Sequence, residues 1–143
     1  MEIRSAAPPD APAIAGLLTE LGYPAKPEDV TERLNALIRS DADCVLLVPG
    51  GLIALHRIPR LAEGDVFARI TALVVAPERR GQGVGRVLLD AAEEVARDWG
   101  CTLLEVSSGR RPERRAAHAF YRAAGFEETE SRSVRYWKRL GQS

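Results

Sequence analysis

At 143 residues the chain has the length of one domain, and its 45% hydrophobic content suits a protein with a buried core rather than a disordered one. Twenty basic and twenty acidic residues cancel, so overall charge points to neither nucleic acid nor an anionic membrane as partner. The opening MEIRSAAPPD lacks the apolar core of a signal peptide, and no run approaches the about 18 apolar residues of a membrane span, so a cytoplasmic protein is expected.

A short strand is predicted around Glu2–Ala6. Asp10 then stands where a helix N-cap would, with Pro12 in the first turn. Ile14, Leu17, Leu18 and Leu21 follow at helical spacing, and Gly22 is a natural stop. A second helix is predicted from Pro27 to Arg39, with Val30, Leu34, Leu37 and Ile38 as its apolar stripe. CVLLV, Pro49-Gly50-Gly51 and LIALHRI then read as two strands joined by a tight turn.

Another strand spans Val66–Val75 and ends at Ala76-Pro77. The helix after it is the most regular in the chain. Val84, Val87, Leu88, Ala91, Ala92, Val95 and Trp99 form one face, Arg86, Asp90, Glu93, Glu94 and Arg97 the other, and Gly100 ends it. A strand at Thr102–Val106, a helix at Pro112–Ala124 and a last strand within Ser133–Arg139 complete the order. Hairpins combined with two strand–helix–strand crossovers predict a mixed α/β sheet with helices on both faces, in a single domain over residues 1–143. Cys44 and Cys101 belong to no Cys-x-x-Cys pair and lie apart from His56 and His118. They read as core residues of a reducing compartment, and no metal site is expected.

The chemistry is concentrated in VVAPERRGQGVGRVLL, residues 74–89, where a β-type run meets Gly81, Gly83 and Gly85 and then the regular helix. Glycines let backbone N–H groups approach an anion closely, and the helix N-terminus adds unpaired N–H groups and the positive end of its dipole. With Arg80 and Arg86 alongside, the expected ligand is a diphosphate. The dinucleotide pattern G-x-G-x-x-G fails, since its last glycine would fall on Arg86 or Leu88, and no Gly-Lys-Ser/Thr of a nucleotide P-loop follows. A glycine-rich turn that merely caps a helix is the competing interpretation.

The spacing Arg80-x-x-Gly83-x-Gly85 resembles the acetyl-CoA loop of the GNAT superfamily of N-acetyltransferases, Gln/Arg-x-x-Gly-x-Gly/Ala. AAHAFYRAAGF, residues 116–126, is similar to a second segment of that family, through Ala117, Phe120, Tyr121, Gly125 and Phe126. The resemblance is specific over residues 66–137; residues 1–60, often the acceptor pocket in this family, are only compatible with it. It implies a mostly antiparallel central sheet flanked by helices and splayed at the acetyl-CoA site. It also implies direct transfer of an acetyl group to a primary amine of a small molecule or peptide, and a homodimer by analogy. Backbone groups of Val74 and Val75 would bond the pantetheine arm, one N–H polarising the thioester carbonyl. Residues from Val75 onward, through Arg80, Gly81, Gln82, Gly83, Val84 and Gly85 to Arg86, would hold the diphosphate.

Tyr121 matches the family's general acid for the departing thiolate; a core aromatic whose hydroxyl bonds a neighbour is the alternative. A non-catalytic acyl-CoA-binding regulatory module is the alternative to an enzyme. Many relatives place a Glu base nine residues ahead of the loop's Arg, where this chain has Thr71. Asp65 and Glu105 are the carboxylates nearby in sequence. The expectation is that neither serves, and that the amine loses its proton through ordered water or is weakly basic. Trp99 and Trp137 read as core or edge residues, and His118, three residues before Tyr121, as a solvent-facing or packed histidine or a contact to substrate or cofactor. Arg110, Arg111, Arg114 and Arg115 read as a solvated basic face or a contact to a phosphate or an acidic acceptor; Arg114 replaces an Asn common in relatives.

Overall fold

Pro49 and Gly50 close a two-residue turn between β2 (Asp43–Val48) and β3 (Gly51–Pro59), and this hairpin sets the register of the sheet. The computed structural model describes residues 2–107, 115–128, 136 and 138–141, which divide into two compact units, Met1–Ser107 and Ser108–Ser143.

In the first unit, β1 (Arg4–Ser5), β2, β3 and β4 (Val66–Val75) pair antiparallel in chain order, and β5 (Leu103–Val106) adds parallel to β4. The sheet is therefore mixed and mostly antiparallel, as the sequence predicts. The β4–β5 pair is parallel because a crossover helix, α3 (Val84–Asp98), separates its strands.

Side chains alternate across a strand, so each face of the sheet is a separate register of residues. On one face Leu47, Leu52 and Val74 form a row buried with Ile14 and Leu17 of α1 (Ala11–Leu21) and Val30 and Leu34 of α2 (Pro27–Ile38). On the other face Gly51, Ile53 and Leu55 meet α3, whose buried residues are Val84, Leu88, Leu89, Ala92 and Ala96. Leu89 and Ala96 lie inside this contact although the predicted stripe omits them. Val87, Ala91, Val95 and Trp99 flank it half-buried, so the buried arc lies to one side of the predicted one.

Asp10 stands at the N-cap of α1 as expected, with Pro12 in the first turn. Its carboxylate makes no cap bond to α1. It accepts the backbone N–H of Ala7 at 2.8 Å, closing a 3-10 turn at Pro8–Asp10, and pairs with Arg4. Those two partners hold it at about pKa 2. Ile38, predicted in the stripe of α2, ends that helix 52% exposed.

The second unit contains α4 (Arg115–Ala123), followed by the turn at Gly125. The predicted residues 112–114 of that helix, Arg110, Arg111, Trp137 and most of the predicted last strand lie outside the described residues.

Candidate functional site

The ladder between β4 and β5 runs only from Phe67↔Leu103 to Ile70↔Val106. Past Ile70, among the described residues, β4 pairs with β3 alone. Between Ile70 and Ala72 the register shifts, so that Thr71 and Ala72 both stand against Ala54. The Thr71 hydroxyl donates to the Ala54 carbonyl at 3.3 Å. This bulge sits just past the end of the β4–β5 ladder.

Which backbone groups face the parted edge follows from the alternation of an antiparallel ladder. The Ala76 N–H bonds the Gly50 carbonyl at 2.8 Å. Two residues back, Val74 therefore spends its N–H and C=O on Leu52, and the groups of Leu73 and Val75 point away from β3. The expectation that Val74 offers its backbone to a ligand is corrected accordingly: its backbone lies in the ladder and its side chain is buried under α1. Leu73 takes its place beside Val75. A one-residue parity of this kind depends on the partner strand, so no local signal in β4 reveals it.

Beyond β4 a 3-10 turn at Pro77–Arg79 leads into the glycine segment. Gly81 and Gly83 adopt φ of 77° and 81°, a left-handed conformation that side chains with a Cβ resist. Gly83 is the N-cap of α3 and offers no side-chain cap; the first helical bond is Val87 N–H to the Gly83 carbonyl, at 3.1 Å. The N–H groups of Val84, Gly85 and Arg86 thus precede the first intrahelical acceptor. A Cβ placed on Gly81 or Gly83 would meet nothing within 4 Å, so the space in front of these amides is open.

The loop's own side chains brace it. Arg80 Nε donates to the Val75 carbonyl at 3.2 Å, Gln82 Nε2 to the Glu78 carbonyl at 3.0 Å, and Arg86 Nε to Asp90 at 3.1 Å. Val84 points inward and is 1% exposed, which anchors the first turn of α3 to the sheet. The loop therefore presents backbone donors outward, with exposed Arg80 and Arg86 beside them, and it fits an anionic diphosphate. A cavity of about 460 Å³ adjoins Ala76, Pro77 and Glu78, but α1, the β2–β3 hairpin and the segment before α1 supply the rest of its lining and residues 80–86 none of it.

Neither weighed carboxylate is idle. Asp65 receives both Arg60 Nε and Nη2, at 2.7 and 2.6 Å, and the Thr102 hydroxyl at 2.9 Å; these partners hold it at about pKa 2. Glu105 receives Arg69 Nε at 2.8 Å. Burial pushes the Cys44 and Cys101 thiols up, away from the nucleophilic thiolate.

In the second unit, Tyr121 is half-buried on α4 between two rings, with Phe120 at 5.5 Å and Phe126 edge-on at 5.8 Å. Its carbonyl accepts the Phe126 N–H at 3.0 Å, which folds the Gly125-Phe126 turn back against the helix.

Comparison with known proteins agrees with this geometry. Residues 14–126 match the model of the acetyltransferase (GNAT) family. The chain is 35% identical over 137 residues to an aminoglycoside N(6')-acetyltransferase type 1 of Stenotrophomonas maltophilia, covering 90% of this chain and 87% of that one. It is 40% identical over 82 residues to an aminoalkylphosphonate N-acetyltransferase of Salmonella typhimurium, covering 57% and 52%. Among solved structures, a putative acetyltransferase from Agrobacterium tumefaciens superposes with a TM-score of 0.82 at 23% identity, over 97% of this chain and all of that one. The aminoglycoside N-acetyltransferase AAC(6')-Iy in complex with CoA does so with a TM-score of 0.78 at 20% identity, over 97% and 100%.

Proposed function

Because the chain belongs to the GNAT family of acetyltransferases and is an N-acetyltransferase, we propose that it moves the acetyl group of acetyl-CoA directly onto a primary amine of a small molecule. One observation carries the reading: an uncapped helix N-terminus, set behind left-handed glycines, adjoins a strand edge that its neighbour leaves open. A diphosphate on the amides of Gly83–Arg86 would place the arm that follows it along Leu73 and Val75.

Each residue then has a task. The amides of the loop and first turn, from Gly81 to Arg86, bind the diphosphate, and Arg80 and Arg86 add charge. The edge-facing amides of Leu73 and Val75 hold the pantetheine arm in extended form, and one of them donates to the thioester carbonyl, where negative charge grows during attack. Tyr121 protonates the departing thiolate; this assignment rests on its place in the Phe120-Tyr121 motif. A thiol of pKa about 8.5 and a phenol of about 10 exchange a proton efficiently only in a partly dry site.

The two relatives act, by name, on an aminoglycoside and an aminoalkylphosphonate, and both are small molecules with a primary amine. The test is a panel of such acceptors, with polyamines, amino acids and a lysine peptide, in which thiol release from acetyl-CoA is followed. Release that depends on a small amine supports the reading; release with the peptide alone, or none, overturns it. Among the described residues no helix is long and apolar enough to cross a membrane.

A further inference from the structure

The face of the sheet that α1 and α2 cover changes character along its strands. The row Leu47, Leu52 and Val74 is buried. The next, Val45, Ala54 and Ala72, is half-buried and ends in two small residues. The row after that is wholly polar and crosses four strands through direct register partners: Asp43↔His56, His56↔Arg69 and Arg69↔Glu105.

Within this row the charges divide into two pairs. His56 Nδ1 lies 2.8 Å from Asp43 Oδ1. Facing a carboxylate acceptor, the neutral ring carries its hydrogen on Nδ1, which leaves the Nε2 lone pair for a proton. Asp43 is 15% exposed and the imidazole 45%, so the carboxylate is the sheltered partner and the ring the accessible one. Arg69 turns the other way, onto Glu105 and over the Phe67 ring at 5.5 Å. From α2, apolar Leu37 and Ile38 line a cavity of about 210 Å³ that Asp43 also lines.

Thr71 is the first residue of β4 past the parting of β4 and β5, and alternation from Ile70 puts it on this same face. His56 faces Arg69 on the neighbouring strand, so Thr71 is its diagonal neighbour, with Cα atoms about 7–8 Å apart in such pairs. An imidazole spans much of that distance, and one water the rest.

We propose that His56 is the general base for the acceptor amine and that Asp43 is its positioning residue. The inference rests on the acetyl-transfer reading above. The acceptor arrives as R–NH₃⁺. His56 Nε2 takes one proton, and the freed lone pair attacks the acetyl carbonyl carbon. The C–N bond forms, the C–S bond breaks, Tyr121 protonates the thiolate to give free CoA thiol, and the second proton lost by nitrogen replaces the phenol's through solvent. The imidazolium returns its proton to solvent. Asp43 keeps Nδ1 protonated and stabilises the imidazolium. The route through water alone, expected from the residues of β4, is replaced by a base on β3.

The test uses the full chain, acetyl-CoA and the acceptor that releases thiol fastest in the panel, with kcat/KM measured from pH 5 to 9. A base that must be unprotonated to act gives a profile that rises with pH and then levels off, and the wild type should show that limb. His56→Gln can still donate to Asp43 but cannot take a proton. It should lose the levelling limb and about 10²–10⁴-fold in kcat/KM while binding acetyl-CoA normally by calorimetry. Asp43→Asn should lower kcat while acetyl-CoA affinity and the acceptor's KM hold, because the ring loses the partner that orients it, and Asp43→Glu should restore part of the loss. Glu105→Gln should keep turnover within a few-fold of wild type. A His56→Gln protein that is folded and keeps the wild-type profile overturns the assignment, as does Glu105→Gln losing most turnover while it binds both substrates. If the wild type transfers to no amine, the acetyl-transfer reading fails first and His56 with it.

Discussion

Gly51 in β3 leaves the space that Val84 fills. A Cβ on Gly51 would stand 2.8 Å from Val84 Cγ1 and 3.0 Å from both Leu88 Cδ1 and Val48 Cγ2. The glycine after the hairpin turn thus lets the first turn of α3 press onto the sheet, and that turn carries the anion-facing amides. Gly51→Ala forces three buried side chains to move. Overpacking of this kind costs about 1–3 kcal/mol, a fall of several degrees in Tm. Thermal denaturation reads the stability, and acetyl-CoA affinity should weaken with it as the helix start shifts. An unchanged Tm would mean that the helix accommodates a methyl group without strain.

The glycine loop itself is tested by Gly83→Val. The substitution meets no neighbour, so its effect is conformational: a β-branched residue resists φ of 81°. Stability should drop by about 1–3 kcal/mol as the strain is either borne or relieved by re-forming the loop. Acetyl-CoA binding by calorimetric titration should vanish from a protein that remains folded. Gly85→Val, at the second glycine of the matched pattern, should also abolish binding, and wild-type affinity in both variants would return the segment to a mere helix-capping turn.

Tyr121→Phe removes a proton donor and keeps the ring that contacts Phe120 and Phe126. Turnover should fall by about 10²–10⁴-fold with acetyl-CoA affinity unchanged. A variant with near wild-type turnover would leave Tyr121 as a packing residue.

Acid should destabilise the first unit in a defined window. Asp65 and Asp10 are held at about pKa 2 by Arg60 and Arg4, below the ordinary aspartate value of about 3.9. A carboxylate whose folded pKa is depressed contributes stability that is present above its unfolded pKa and is lost as pH falls through the folded one. Melting temperature should therefore decline between about pH 4 and pH 2 on account of these groups. Asp65→Asn and Asp10→Asn should start lower at pH 7 and show a shallower decline. Wild-type and double-mutant curves that run parallel through that window would remove both ion pairs from the account of acid stability.

The element order of the described chain was legible from local signals. The strand expected at about Val66–Val75 is found there, because a β-branched run is bounded by turn residues on both sides. The glycine loop was legible for the same reason: left-handed glycines and a helix start are properties of a few consecutive residues. The position of Asp10 at the N-cap of α1 was legible, but its partners were not: Arg4 and the Ala7 amide lie upstream of it, while the capping rule looks downstream into the helix.

By itself, then, the sequence determined where the strands and helices of the described residues and the glycine loop fall, since each follows from torsional preference and hydrophobic period over a short span. Only the tertiary structure decided which groups those elements present to one another. Leu73 rather than Val74 faces the parted edge because the Pro49-Gly50 turn sets the β3 register and every second residue of β4 follows from it. Thr71 occupies a bulge, Glu105 and Asp65 are taken by arginines, and His56 meets Asp43 across 13 residues of chain, because cross-strand partners are chosen by register and by the twist of the whole sheet. No window on one strand contains that information.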